Sequence, residues 1–162
     1  MAKTNNSSHE KFMLLAIALS NKNVEQGLGG PFGAVIVKRG KLVAKSANQV
    51  AISNDPTAHA EISAIRIASK KLKSFDLTGC TIYTSCEPCP MCLGAIYWSR
   101  ISHVYYGNTK HDAAHIGFND KFIYDELALP SNDRKLILNQ LLKEEAIKAF
   151  EKWQNSENKT VY

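Results

Sequence analysis

Residues 84–92 read Thr-Ser-Cys-Glu-Pro-Cys-Pro-Met-Cys, three thiols and two prolines in nine positions. Proline is tolerated at the first position of a helix, where the N–H it lacks would have no partner anyway. Pro90 therefore predicts a helix start, with Cys89 as its cap and Cys92 in the same first turn. Both sulfurs can then face one point. The unpaired N–H groups and the positive dipole end of such a helix favour thiolates, the form of cysteine that binds metal.

A catalytic zinc takes three protein ligands and keeps a fourth position for water, so another donor must come from elsewhere. Thr57-Ala58-His59-Ala60-Glu61 offers one thirty residues upstream of Cys89. That separation is bridged by one helix and one strand, so two neighbouring helix starts can meet above a sheet and bring Glu61 beside the metal. In a regular helix, residues two apart diverge by roughly 200°. His59 and Glu61 therefore converge only if the first turn is irregular or the substrate lies between them, and the sequence leaves both arrangements open. Taken alone, the Cys-x-x-Cys pair also fits a redox dithiol, or a closed structural site with Cys86 as fourth ligand. The joint spacing of His59, Glu61, Pro88, Cys89 and Cys92 favours the open site.

The flanking pattern predicts what carries these residues. Ser7-x-x-Glu10 has the spacing of a capping box, and Phe12, Leu15, Ala16 and Leu19 follow at helical period, predicting a helix from about Ser8 to Gln26. Gly27 to Pro31 breaks it. Two β-rich runs, Phe32 to Lys38 and Leu42 to Val50, are joined by Arg39-Gly40-Lys41 as a hairpin. Asp55-Pro56-Thr57 is expected to start a second helix running to Lys71. A strand from Cys80 to Thr84, a helix from Pro90 to Ser99 and a strand from Ile101 to Tyr106 imply a parallel crossover. Short helices around Gly117, a strand or helix over Leu136 to Leu142, and a helix over Lys143 to Trp153 complete the reading. The expected fold is a three-layer α/β/α sandwich with a mixed five-stranded sheet, one domain over residues 1–162, its polar tail from about 154 to 162 serving as a covering arm.

With 162 residues, 44% of them apolar, the chain can enclose a core of its own. Three of its four cysteines fall within seven positions, which favours metal or redox chemistry over a disulfide framework. The apolar run Phe12 to Leu19 is too short for a bilayer and lacks a basic flank, so a soluble cytoplasmic protein with no membrane partner is expected. The net charge of +5 comes from sixteen lysines and four arginines dispersed along the chain, a solvated surface rather than a nucleic-acid footprint. Cys80 reads as a small core residue, and His9, His103, His111 and His115 as structural or exposed.

His-x-Glu followed by Pro-Cys-x-x-Cys is the signature of zinc-dependent nucleobase deaminases. Across nearly its full length the chain resembles the bacterial guanine deaminases of the cytidine deaminase-like superfamily. The resemblance rests on residues 29–37 (GGPFGAVIV), 54–61 (NDPTAHAE) and 84–98 (TSCEPCPMCLGAIYW). The first two blocks are also similar to those of tRNA adenosine deaminases. The segment HDAAHIGFNDKFIY at 111–124 looks like the guanine deaminases instead.

The resemblance implies zinc-dependent hydrolysis of guanine to xanthine and ammonia, one Zn2+ per subunit held by His59, Cys89 and Cys92, and Glu61 as the proton shuttle. It further implies substrate contacts from Asn48, Phe32, Ala60, Asp120 and the terminal Tyr162, and a homodimer with C-terminal exchange. Without the resemblance, Asn48 reads as a strand-end turn residue, Phe32 as a core aromatic and Asp120 as part of a turn. The alternatives are tRNA editing, or deamination of another small amino-heterocycle such as cytosine or a nucleoside.

Overall fold

The computed structural model describes residues 6–161. The chain divides into two compact units, the first ending at Lys121 and the second beginning at Phe122.

The first unit is built on helix α1 (Asn6–Glu25), strands β1 (Gly33–Lys38) and β2 (Lys41–Ala47), the single turn α2 (Val50–Ser53), helix α3 (Ala60–Leu72), strand β3 (Cys80–Cys86), helix α4 (Pro90–Trp98), strand β4 (His103–Asn108) and helix α5 (Lys110–His115). The sheet order is β2-β1-β3-β4. β1 pairs antiparallel with both β2 and β3, whereas β3 and β4 run parallel around α4, as the strand-helix-strand pattern requires.

Alternation along β1 divides the core in two. Ala34 and Ile36 pack with Ala60, Ala64, Ala68, Leu77, Ile82 and Ile96, on the side of α3 and α4. Val35 and Val37 face the other way, onto Phe12, Ala16 and Tyr83 beneath α1. Ile36, Leu77 and Ile82 are fully enclosed, and each such side chain contributes about 2 kcal/mol by leaving water. These are the layers of an α/β/α sandwich. At Gly33 the close packing is tightest: a Cβ there would run into Ala16 O and stand 2.9 Å from Ser20 N, so α1 can lie this close only on a glycine.

The second unit holds α6 (Lys121–Ala128) from its second residue on, a 3-10 turn (Ser131–Asp133) and α7 (Lys143–Gln154). Neither of its α-helices buries a residue, and Leu136, Ile137, Leu141 and Phe150 are largely exposed.

Several expectations are corrected. The sheet has four strands among the described residues, not five: residues 137–142 form no regular element, because a strand exists only where a neighbouring backbone completes its ladder. β2 stops at Ala47, and Val50, expected in the strand, opens α2. Helix α1 begins at Asn6, so Ser7 and Glu10 lie inside it rather than boxing its start. Asp55 does not cap the helix after it. Its carboxylate accepts from the backbone N–H and hydroxyl of Thr57, a turn that delivers the chain to the true cap, His59.

Candidate metal centre and active site

Two helix starts meet beyond the C-terminal end of β3. His59 caps α3 in an extended conformation (φ −63°, ψ 158°), and Cys89 caps α4 in nearly the same one (φ −66°, ψ 168°), with Pro90 following. Each cap's carbonyl accepts the first intrahelical bond, from Ser63 N at 3.0 Å and from Leu93 N at 2.8 Å. An extended cap turns its side chain away from the rows of the helix, and this answers the periodicity problem: His59 stands outside the regular turn that holds Glu61. His59 Nδ1 lies 3.5 Å from both Cys89 Sγ and Cys92 Sγ, and the three ligand atoms all fall within 4.8 Å of one another.

Among the described residues this is the one group of at least three His, Cys, Asp or Glu side chains so placed, and Cys86 is not part of it. The Cys86 thiol donates instead to Thr109 O at 3.6 Å, and burial pushes it up to about 11. Two sulfurs and one imidazole suit zinc, and three donors rather than four leave a coordination position open. The donors are also prepared electrostatically. The Cys92 side chain, and after it His59, hold Cys89 down to about 4 against the pull of burial, so one thiolate is already formed. Its hydrogen bond with Cys89 keeps the proton on Cys92, and Cys89 raises His59. A divalent ion entering here would displace those shared protons.

Glu61, the second residue of α3, is only 7% exposed. Burial raises its pKa, while its own backbone N–H and the Cys92 side chain pull the other way. A buried carboxylate beside an open metal position is placed to accept and return protons.

Four of the other expected residues, Asn48, Phe32, Ala60 and Asp120, lie within the described residues. Asn48, 6% exposed, donates its N–H to Phe32 O at 2.9 Å, and Gln49 N donates to Ala58 O at 2.9 Å, tying this corner to the segment that ends in His59. Asn48 Oδ1 accepts from Val50 N at 3.2 Å, so the side-chain NH2 is the group left for a ligand. Phe32 is half-buried and packs edge-on against Phe118, ring centroids 4.9 Å apart. The Ala60 methyl is enclosed in the core, which leaves its unpaired first-turn N–H as its one polar offering. Asp120 sits in the loop before α6, its carboxyl raised by burial and then by the charge on Cys89. Tyr162 lies outside the described residues.

Sequence reasoning passed over Asn23, Ser85 and Phe118. Ser85 Oγ accepts from Gly33 N at 3.0 Å, and Asn23 donates to Gly30 O and Asn48 O. The signal for Asn23 was available: Phe12, Ala16, Ser20 and Asn23 continue one helical face, and the two polar residues end a face that begins in the core. The remaining histidines and Cys80 are as expected. His9 bonds Tyr83 OH at 2.8 Å, His103, His111 and His115 are exposed, and Cys80 is enclosed.

Residues 6–108 match the family model for the cytidine and deoxycytidylate deaminase zinc-binding region. The guanine deaminase of Bacillus subtilis (strain 168) is 50% identical over 96% of this chain and 99% of its own. Its crystal structure superposes with a TM-score of 0.92, covering 95% of this chain and 98% of that one. A tRNA-specific adenosine deaminase of Aquifex aeolicus is 39% identical over 74% of this chain and 78% of its own.

Proposed function

The chain belongs to the cytidine and deoxycytidylate deaminase zinc-binding family, and from that premise we propose that it hydrolyses guanine to xanthine and ammonia. The observation that carries the substrate is the reach of the likeness. Identity to a guanine deaminase extends over 96% of the chain and so into the second unit, whereas the tRNA-acting relative matches 74%. The dispersed lysines supply no stripe for a tRNA backbone.

Zinc held by His59, Cys89 and Cys92 supplies Lewis-acid activation of a water molecule. Glu61 takes one proton from the attacking water and delivers it to the ring nitrogen beside C2, then takes the proton of the new C2 hydroxyl and delivers it to the departing amine. The C2–N bond breaks, a carbonyl forms at C2, and ammonia leaves. Asn48 NH2 donates to an acceptor on the base, Phe32 covers its face, the Ala60 N–H completes the polar wall, and Asp120 accepts from the donor-rich guanine edge.

The chain acts as one deaminase domain in a homodimer with C-terminal exchange, the tail from about residue 154 serving as the arm that covers the site of the other copy. Supporting this, the second unit exposes a run of large apolar side chains that buries nothing in one copy, and β4 presents a free edge among the described residues. No helix among the described residues is long and apolar enough to cross a membrane. All four cysteines are free thiols, which fits the reducing cytoplasm.

Purified protein incubated with guanine should release ammonia, and Glu61→Ala should lower the rate by roughly a thousandfold or more with zinc content unchanged. Deamination of a tRNA loop with free guanine untouched would overturn the substrate.

A further inference from the structure

Asn23 is 4% exposed and lies where α1 passes the start of the hairpin. Its Nδ2 donates to Gly30 O at 2.9 Å and to Asn48 O at 3.1 Å. The two carbonyls lie on either side of the β1–β2 hairpin, one just ahead of Phe32 and the other on Asn48 itself. A direct bond, Asn48 N to Phe32 O at 2.9 Å, closes the same junction. Gly29 makes room for it: at φ +155°, a Cβ there would stand 3.1 Å from Asn48 Oδ1 and 3.4 Å from Asn23 Nδ2.

Packing α1 against the sheet needs only an apolar residue at this position, and the helix backbone has no use for the Asn23 amide. Both its hydrogens are spent on loop carbonyls that no other side chain serves in the described hydrogen bonds. We propose that Asn23 is a positioning residue, a buried amide clamp that holds Phe32 and Asn48 in the fixed relation a purine base requires. The kinetic half of this inference rests on the guanine deaminase reading; the structural half does not.

Removing the clamp takes the side-chain donor from the buried Asn48 carbonyl and leaves Gly30 O, which is partly buried, with the Phe32 N–H at 2.8 Å, and so loosens the wall that carries Phe32 and Asn48. These residues hold the base in ground and transition states alike, so the loss appears in KM rather than kcat. The test compares wild type, Asn23→Ala and a control, Ser20→Ala, which removes a hydroxyl that bonds only to Ile17 O within α1. Amide hydrogen exchange is followed at Phe32, Asn48 and Val50, with Ala16 as internal reference, alongside guanine kinetics and zinc content.

For Asn23→Ala the expected result is exchange at least about tenfold faster at those three amides and unchanged at Ala16. KM should rise roughly tenfold, with kcat within about threefold and full zinc. Ser20→Ala should leave exchange at the three amides and KM unchanged. If Asn23→Ala yields no folded protein, Asn23→Ser is read in the same way, since a hydroxyl can serve one carbonyl at most. Unchanged exchange at the three amides, or a lowered melting temperature with KM intact, would overturn the clamp. A wild type that ignores guanine would overturn the substrate assignment instead, and the exchange arm would still decide the clamp.

Discussion

Cys86 and Cys89 stand three residues apart in one run of thiols, yet the fold gives them opposite states. Cys86 ends β3 with its side chain enclosed and its proton retained, while Cys89 caps a helix and sits as a thiolate beside His59. The difference follows from position: burial dominates at Cys86 and penalises its charge, while at Cys89 the Cys92 side chain and His59 outweigh burial and stabilise it. Cys86→Ser should therefore keep one zinc per chain by elemental analysis, whereas Cys89→Ser or Cys92→Ser should lose most of it. Retention of zinc by Cys89→Ser would show that the ligand set is wrong. At this scale the ligands were legible because a metal dictates residue types and spacing. Asn23 was legible only as a polar residue on a buried helical face, because a single amide acquires its role from the carbonyls that folding brings to it.

Among the elements, two joints hold the site in place. The first is the contact of α1 with β1. Gly33→Ala would drive a methyl group into the backbone of Ala16 and Ser20 and should cost about 1–3 kcal/mol in urea unfolding. The second is the Ser74–Thr78 turn between α3 and β3. Asp76 there accepts from Thr78 N at 2.8 Å and pairs with Arg100 at 2.7 Å. The Thr78 side chain, its backbone N–H and then Arg100 hold the carboxyl down to about 2. A depressed carboxyl stabilises the fold above its unfolded pKa of about 4, and the contribution disappears as pH falls through the folded value. Asp76→Asn should therefore be less stable than wild type near neutrality, with the gap narrowing between about pH 4 and pH 2 when denaturation midpoints are compared. Helix and strand types were legible from period and from turn residues. The start of α3 was misread because Asp55 and Pro56 have the composition of a helix cap, while the backbone uses them one turn earlier to aim His59.

At the scale of the molecule, the second unit buries no side chain in its helices and leaves Leu136, Ile137, Leu141 and Phe150 in water. A segment that encloses nothing cannot offset the entropy of ordering it, so residues 122–162 as an isolated peptide should give a coil-like far-UV circular dichroism spectrum. The intact chain should sediment as a dimer, and a sharp monomer at micromolar concentration would remove the case for exchange between copies. The expected fifth strand failed for the same reason, since a ladder needs a second backbone that the described single chain does not provide. By itself, the sequence determined the chemistry and the layers: thiol and imidazole spacing is set by the demands of a metal, and alternation and helical period by which faces must leave water. Only the tertiary structure decided that His59 stands outside its helix, that Cys86 stays out of the ligand set and that Asn23 reaches two loops. Those outcomes depend on where distant backbone atoms come to rest, and no local pattern of side chains encodes that.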